Sequence, residues 1–276
     1  MVCYCTLSRL VRLAVEHPLM ARQDIATPIE VENPQAKLLN MHIVAKPPSR
    51  LYKYSAFTAQ NLENLKNQII YFSSPRGFND PYDCSVTPTI RFPTEAEVHC
   101  VRNGYLDDPT ISPTTREQLV RTTNDEMRLM IVSAAEKLTA EKVKEFSEKR
   151  GVCCFSEVCD ELLMWAHYGG NYRGFCLEFD ISFFPKIQKV QYSNELPTFN
   201  PISVLNTELG TEDFMSVFSS KSLSWAYEKE WRAFHADVGT SYCYPSEALT
   251  GVYFGPEISS AALEIICLIL QGQNET

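Results

Sequence analysis

Val152-Cys153-Cys154-Phe155-Ser156, set between Gly151 and Glu157, is the run on which the fold reading turns. Five uncharged, mostly apolar residues are too few for a helix and fit a buried strand. More strands follow it, at residues 174–180, 189–192, 230–236 and 251–255. Two helices interrupt them. Residues 160–168 carry Leu162, Leu163, Trp165 and Ala166, and residues 212–223 follow later; a last helix starts after Ser259 or Ser260.

Upstream, residues 92–150 read as helical. Thr94-Glu95-Ala96-Glu97 and Thr114-Thr115-Arg116-Glu117 both fit capping boxes. Leu119, Met127, Met130, Ile131, Ala134 and Leu138 recur near helical spacing, and residues 140–149 read as a further helix with Gly151 at its C′ position. At the entry, Leu51-Tyr52-Lys53-Tyr54 alternates like a strand, Thr58 caps a helix over residues 59–67, and Ile69-Ile70-Tyr71-Phe72-Ser73 is β-rich. This order predicts an α+β fold: a single domain over residues 48–276 with a mixed or antiparallel sheet and a helical insertion at about 92–150. Residues 1–47 differ. A short amphipathic stretch at 8–17 precedes a polar, proline-containing stretch at 24–37, which reads as a poorly ordered tail or as an extension upstream of a gene start at Met41.

The 276 residues carry 25 basic and 34 acidic side chains, a formal charge of −9. That balance disfavours non-specific nucleic-acid binding, which rests on many Lys/Arg–phosphate contacts. Ten cysteines fall mostly in apolar runs such as Phe175-Cys176-Leu177, the pattern of buried thiols in a reducing, cytoplasmic compartment. No apolar run approaches the roughly twenty residues of a membrane span. No Gly-rich strand–loop–helix of the nucleotide-binding kinds is present, and no C-x-x-C pair supports a zinc site, so no metal ligands are assigned.

Four segments carry the unusual chemistry. Trp225-Ala226-Tyr227-Glu228-Lys229-Glu230-Trp231-Arg232 boxes two carboxylates among aromatic rings. On one strand Glu228, Glu230 and Arg232 share a face, and the two glutamates repel unless Arg232, Lys53 or a cationic ligand lies between them. Asn79-Asp80-Pro81 builds a turn or lines a polar pocket together with Ser73. Cys153-Cys154-Phe155-Ser156-Glu157 ends a strand. Met164-Trp165-Ala166-His167-Tyr168-Gly169-Gly170-Asn171 is a helix end at which His167 and Tyr168 are either structural or ligand-facing.

Taken in order, Leu51–Tyr54, Phe78-Asn79-Asp80-Pro81, Cys154-Phe155-Ser156 with Met164–Tyr168, and Trp225–Arg232 resemble a mainly bacterial family, domain-of-unknown-function family 2971, over about residues 50–258. That resemblance implies a boundary and a residue list, and no reaction. A second resemblance is to the ADP-ribosyltransferase fold, in which a first-strand basic or His residue, a later Ser or Tyr and a catalytic Glu act in turn. Lys53, Ser73-Ser74 and Glu228-x-Glu230 stand in that order here, although Arg or His is the expected residue where Lys53 stands. It implies an enzyme acting on a nucleotide-like ligand, with NAD as substrate and a carboxylate that stabilises an oxocarbenium-like ribose. The candidate catalytic residues are then Glu230, Glu228 and His167; the candidate ligand contacts are Tyr52, Lys53, Ser73, Asn79, Asp80, Tyr168 and Arg232. The competing reading is a non-catalytic sensor or interaction module in which the same Glu/Arg/aromatic cluster is an ion-pair lattice.

Overall fold

The computed structural model describes residues 46–84, 87–184, 187–206 and 210–274. In chain order it forms β1 (Arg50–Ser55), α1 (Ala59–Lys66), β2 (Ile69–Tyr71), β3 (Thr89–Ile90), α2 (Glu95–Asp107), α3 (Pro113–Arg121) and α4 (Asn124–Lys149). There follow β4 (Gly151–Ser156), α5 (Leu162–His167), β5 (Phe175–Asp180), β6 (Ile187–Lys189), β7 (Gln191–Ser193), β8 (Thr198–Phe199), α6 (Pro201–Leu205) and α7 (Gly210–Phe218). The chain closes with β9 (Ser220–Ser222), β10 (Glu230–His235), β11 (Ser241–Cys243), β12 (Leu249–Phe254) and α8 (Ser260–Asn274). Contacts divide the described residues into two compact units. One holds those of 86–144 and 195–218, and the other those of 44–85, 145–194 and 219–276.

The second unit is built on a six-stranded sheet in the order β12-β5-β1-β4-β10-β6, and every pairing in it is antiparallel. The fold is therefore α+β with a mainly antiparallel sheet. Register decides what shares a face. Tyr52 lies opposite both Glu178 and Ser156, and Ser156 lies opposite Glu230. A polar row, Glu178–Tyr52–Ser156–Glu230, thus crosses four strands on one face. One residue along each strand the direction reverses. Leu51, Phe155, Leu177, Phe179 and Trp231 fill the other face, joined by Leu65 of α1 and Ile266 of α8. Each such side chain, fully buried, contributes roughly 1.5–3 kcal/mol. On the polar face a smaller cluster packs Tyr54 and Cys176 against Met164 and Trp165 of α5, with the Tyr54 and Trp165 rings edge to face at 5.1 Å.

In the first unit Thr94 caps α2 in the capping box that its sequence predicts. Arg91 engages both oxygens of Glu97, at 2.9 and 2.6 Å, and with the Thr94 bonds this holds the Glu97 carboxyl down at about 2. β3 and β8 pair in parallel there.

Several local expectations change. Ser112, not Thr114, caps α3, because Pro113 takes the first helical position where its missing N–H costs nothing. Leu119 falls in α3, and the helical stretches read from Met127 to Leu138 and over 140–149 are one helix, α4, since no Gly or Pro interrupts them and Thr123 with Glu126 forms the cap. Gly151 is no helix cap but the first residue of β4, where a Cβ would come within 2.6 Å of the Phe72 Cβ. The stretch read as one strand at 189–192 is split between β6 and β7. The expectation for residues 1–47 falls, up to residue 45, outside the described residues. Among the described residues no helix is long and apolar enough to cross a membrane.

Gly174, just before β5, gives a stringent test of this packing. A Cβ there would lie 2.1 Å from the Ser55 carbonyl oxygen and 2.8 Å from that of Gly169, both backbone atoms with nowhere to move. Gly174→Ala is expected to lower stability by about 3 kcal/mol or more. Gly77→Ala, which meets nothing within 4 Å, is expected to leave it unchanged. Urea unfolding of the two variants beside the parent measures both.

Candidate functional site

β10 places Glu230 and Arg232 two residues apart, hence on one face of the sheet. The guanidinium is completely buried. Its Nε and Nη2 donate to the two oxygens of Glu230, each at 2.8 Å. Its Nη1 and Nη2 donate to the two oxygens of Asp83, each at 2.7 Å, and Nη1 reaches Cys84 Sγ at 3.1 Å. Asp83 is delivered by the turn that the sequence flags: Asp80 Oδ1 accepts from the Tyr82 amide at 2.9 Å, and the Asp83 amide donates to the Asp80 carbonyl at 3.1 Å. Asp80 is therefore a turn residue that positions Asp83.

Glu228 arrives differently from the single-strand expectation. Residues Leu223–Glu228 form a 3₁₀ helix, Lys229 turns left-handed at φ 43°, and only then does β10 begin. Glu228, Glu230 and Arg232 consequently do not line one strand. The Glu228 carboxylate reaches the others through Lys221 of β9. This ammonium sits 2.5 Å from Glu228 Oε2, 3.3 Å from Glu230 Oε2 and 3.3 Å from Asp83 Oδ2, so its three protons meet three carboxylates. The other oxygen of Glu228 accepts from the Tyr168 hydroxyl at 2.6 Å, and Tyr168 in turn hydrogen-bonds the exposed Asn79 side chain at 3.1 Å. Ser156 Oγ donates to the Glu228 carbonyl at 2.7 Å, and the Glu230 amide donates to Tyr192 Oη at 2.8 Å.

Three buried carboxylates thus face two buried cations, and the imbalance is not shared evenly. Burial pushes the Glu228 and Glu230 carboxyls up. At Glu230 the Arg232 charge and hydrogen bonds, helped by Lys221, win and hold the carboxyl at about 2. At Glu228 burial prevails, Glu230 pushes the same way, and Lys221 only partly offsets them, so its pKa is raised. Burial works against the Lys221 charge, but the three carboxylates keep its pKa above the ordinary lysine value. Burial, then the Glu228 charge, raises the Tyr168 hydroxyl.

The remaining sequence candidates separate. His167 is exposed, its ring 6.2 Å from Tyr168, 6.2 Å from Trp225 and 6.4 Å from Tyr227, and Trp225 lies 6.0 Å from Tyr227. These four rings border the outer end of the Asn79–Tyr168–Glu228 chain, and Lys221 lies under Trp225 at 5.0 Å. Tyr52 shares the polar face but belongs to a second buried carboxylate, Glu178. That group accepts from Thr250 Oγ1 at 2.7 Å and Tyr253 Oη at 2.8 Å and pairs with Arg50. Burial first, then Glu178, pushes the Tyr52 hydroxyl up to about 12. Lys53 is not between the glutamates. Strand alternation turns it to the opposite face, where it lies over the Phe155 ring at 5.7 Å and bonds the Cys154 carbonyl at 3.4 Å. Ser73 bridges β4 at Val152, four residues from Ser156 and so about 13 Å along the strand. The glycines after Tyr168, read as a place for close ligand approach, serve the chain's own packing: Cβ atoms at Gly169 and Gly170 would lie 2.6 Å from Trp165 and 3.0 Å from Ala56.

Lys221, Asp83 and Tyr192 are not among the candidate site residues that the sequence suggests. Lys221 stands in Ser220-Lys221-Ser222 with no periodic signal, and its one hint is the excess of carboxylate over cation in the block that follows.

A family model described as "Protein of unknown function (DUF2971)" matches residues 164–233, and the resemblance to that family holds over this span. The span begins within α5 at Met164 and contains His167, Tyr168, Lys221, Glu228, Glu230 and Arg232, while Asn79 and Asp83 lie before it. No curated protein and no solved structure matches the chain.

The acid limb of stability tests the charge assignment. Glu230 is depressed in the fold, so its contribution is complete above the ordinary glutamate value of about 4.3 and is lost as pH falls from there toward about 2. The parent is expected to lose stability steeply across that window, and Glu230→Gln to lose less, in melting curves taken as a function of pH.

Proposed function

We propose that the protein is a non-catalytic binding module. The Asp83–Lys221–Glu230–Arg232 lattice is structural in this reading. The aromatic edge of His167, Tyr168, Trp225 and Tyr227, with Asn79, takes up a nucleotide-like small molecule. One observation carries the reading: both oxygens of Glu230 are bonded to Arg232, one of them also to Lys221, and the residue is 4% exposed. A carboxylate so engaged has no oxygen left to stabilise a ribosyl cation. The edge outside it offers what a base and sugar need, namely ring faces to stack on and an exposed amide to hydrogen-bond. The reduced thiols of Cys153, Cys154, Cys159, Cys176, Cys243 and Cys267 suit work in the cytoplasm.

A second reading has its own support. Glu228 combines a raised pKa with a hydroxyl chain leading outward through Tyr168 to Asn79, the disposition of a general acid. An ADP-ribosyltransferase-like glycosyl transfer would then use Glu228 rather than Glu230, with NAD as the substrate.

Two measurements separate these readings. Adenosine nucleotides and NAD are expected to raise the parent melting temperature, and Trp225→Ala to abolish that shift while the unliganded protein stays folded. No shift with any of these ligands defeats the binding proposal, and NAD consumption that disappears in Glu228→Gln establishes the transferase reading instead. The lattice itself is tested by stability. Glu230→Gln is expected to cost about 3 kcal/mol, since it removes one of the two carboxylates that hold the buried guanidinium. Glu228→Gln removes the surplus charge and is expected to leave stability at neutral pH unchanged or higher. Equal losses in the two variants would show that the surplus negative charge does not reside on Glu228.

A further inference from the structure

The last helix, α8, is mostly apolar, with Ser260, Glu264 and Gln271 on its exposed side. Between Ser260 and Asn274 it carries a single charged side chain, Glu264. Its inner stripe is accounted for: Ala262 and Ile266 are buried, Ile269 and Leu270 pack on the main core, and Gln273 bonds the Lys66 carbonyl at 3.2 Å. The outer stripe is not. Ile265 is 43% and Leu268 59% exposed, Ala261 and Gly272 are exposed, and a side chain at Gly272 would meet nothing within 4 Å. The stripe runs beside exposed Glu264 and Gln271, and a contiguous exposed apolar stripe on a surface helix marks a place of contact.

Spacing and symmetry identify the occupant. Ala261, Ile265, Leu268 and Gly272 follow one another at intervals of four, three and four residues, the repeat of a helix–helix seam. When two copies of this helix lie antiparallel, Ile265 of one meets Leu268 of the other in the middle. Ala261 then meets Gly272 at both ends. Large residues face large and small face small, and the small pairs let the two backbones approach closely. The arrangement is its own mate about a two-fold axis, which is what a homodimer requires. Charge favours the same occupant. A chain with a formal charge of −9 repels its copies over most of its surface, and α8 offers them a nearly neutral face. A membrane surface fits less well, because interfacial helices carry Lys and Arg on their polar side and α8 has neither.

We propose that α8 is a self-association surface through which two copies of this chain pair, antiparallel, along Ala261–Ile265–Leu268–Gly272. Fifteen residues make a contact about 22 Å long. A contact made by one short helix stands at the small end of specific interfaces, so the dimer is expected to be reversible and to depend on concentration.

Sedimentation velocity of the full chain across a dilution series tests this. The parent is expected to shift between monomer and dimer. Leu268→Glu, at an exposed position, is expected to stay folded by circular dichroism and to remain monomeric throughout, as is Ile265→Lys. Leu196→Glu, at an equally exposed site elsewhere, is expected to dimerise like the parent. An equimolar mixture of the Ile265→Lys and Leu268→Glu chains is expected to associate again, because the antiparallel register sets the new ammonium against the new carboxylate. A folded parent that is monomeric at every concentration overturns the proposal, and so does a dimer indifferent to Leu268→Glu. Failure of the mixture to associate overturns the antiparallel pairing.

Discussion

Arg232 is the constraint on which the polar face of the sheet depends. Its guanidinium is wholly buried and holds two carboxylates bidentately, one two residues away on its own strand and one 149 positions away in sequence. A planar fork has its donors at fixed angles, so binding Glu230 along one edge determines where Asp83 must lie. The turn that ends at Cys84 is thereby fixed relative to β10. Phe78, in the same turn, completes the enclosure with its ring 5.7 Å from the guanidinium carbon. An ammonium in this position would bring charge without the fork and would leave oxygens unpaired in a dry site. There an unpaired charge costs more than a good pair contributes.

How far this was legible in the sequence depends on the range of each interaction. Strand periodicity identified Glu230 and Arg232 as neighbours on one face, and the Asx–Pro chemistry of residues 79–81 identified the turn. Both are local signals, and both appear in the structure. The same periodicity failed at Glu228 because one residue, Lys229, adopts a left-handed conformation. Nothing in a lysine advertises this, since the residues that visit the region readily are Gly, Asn and Asp. Lys53 shows a different limit. Its strand was readable, but whether it joined the glutamates depended on which strands pair and in which register, and that is a property of the assembled sheet. Lys221 and Asp83 lie beyond local reading altogether. Their proximity comes from tertiary contacts, with β7 and β9 pairing in parallel and the 80–84 turn closing over them.

The charge count explains why the cluster has an inside and an outside. Three carboxylates with two cations leave a surplus negative charge, and a low-dielectric site concentrates it where stabilisation is weakest. Glu230 is a poorer host for a proton than Glu228, because protonation would break bonds to Arg232. Asp83 meets the same guanidinium through both oxygens. Glu228 has one ammonium contact and one neutral hydroxyl, so the surplus settles there, at the end of the cluster linked to exposed Asn79 through Tyr168. Glu230 is thus locked by Arg232, whereas Glu228, itself only 2% exposed, connects to the surface through Tyr168 and Asn79. A ligand that brings a proton donor or a positive edge to this place gains from the surplus without disturbing Arg232. In the proposed binding reading, a ligand on this face leaves intact the interaction that holds the sheet and its turn together.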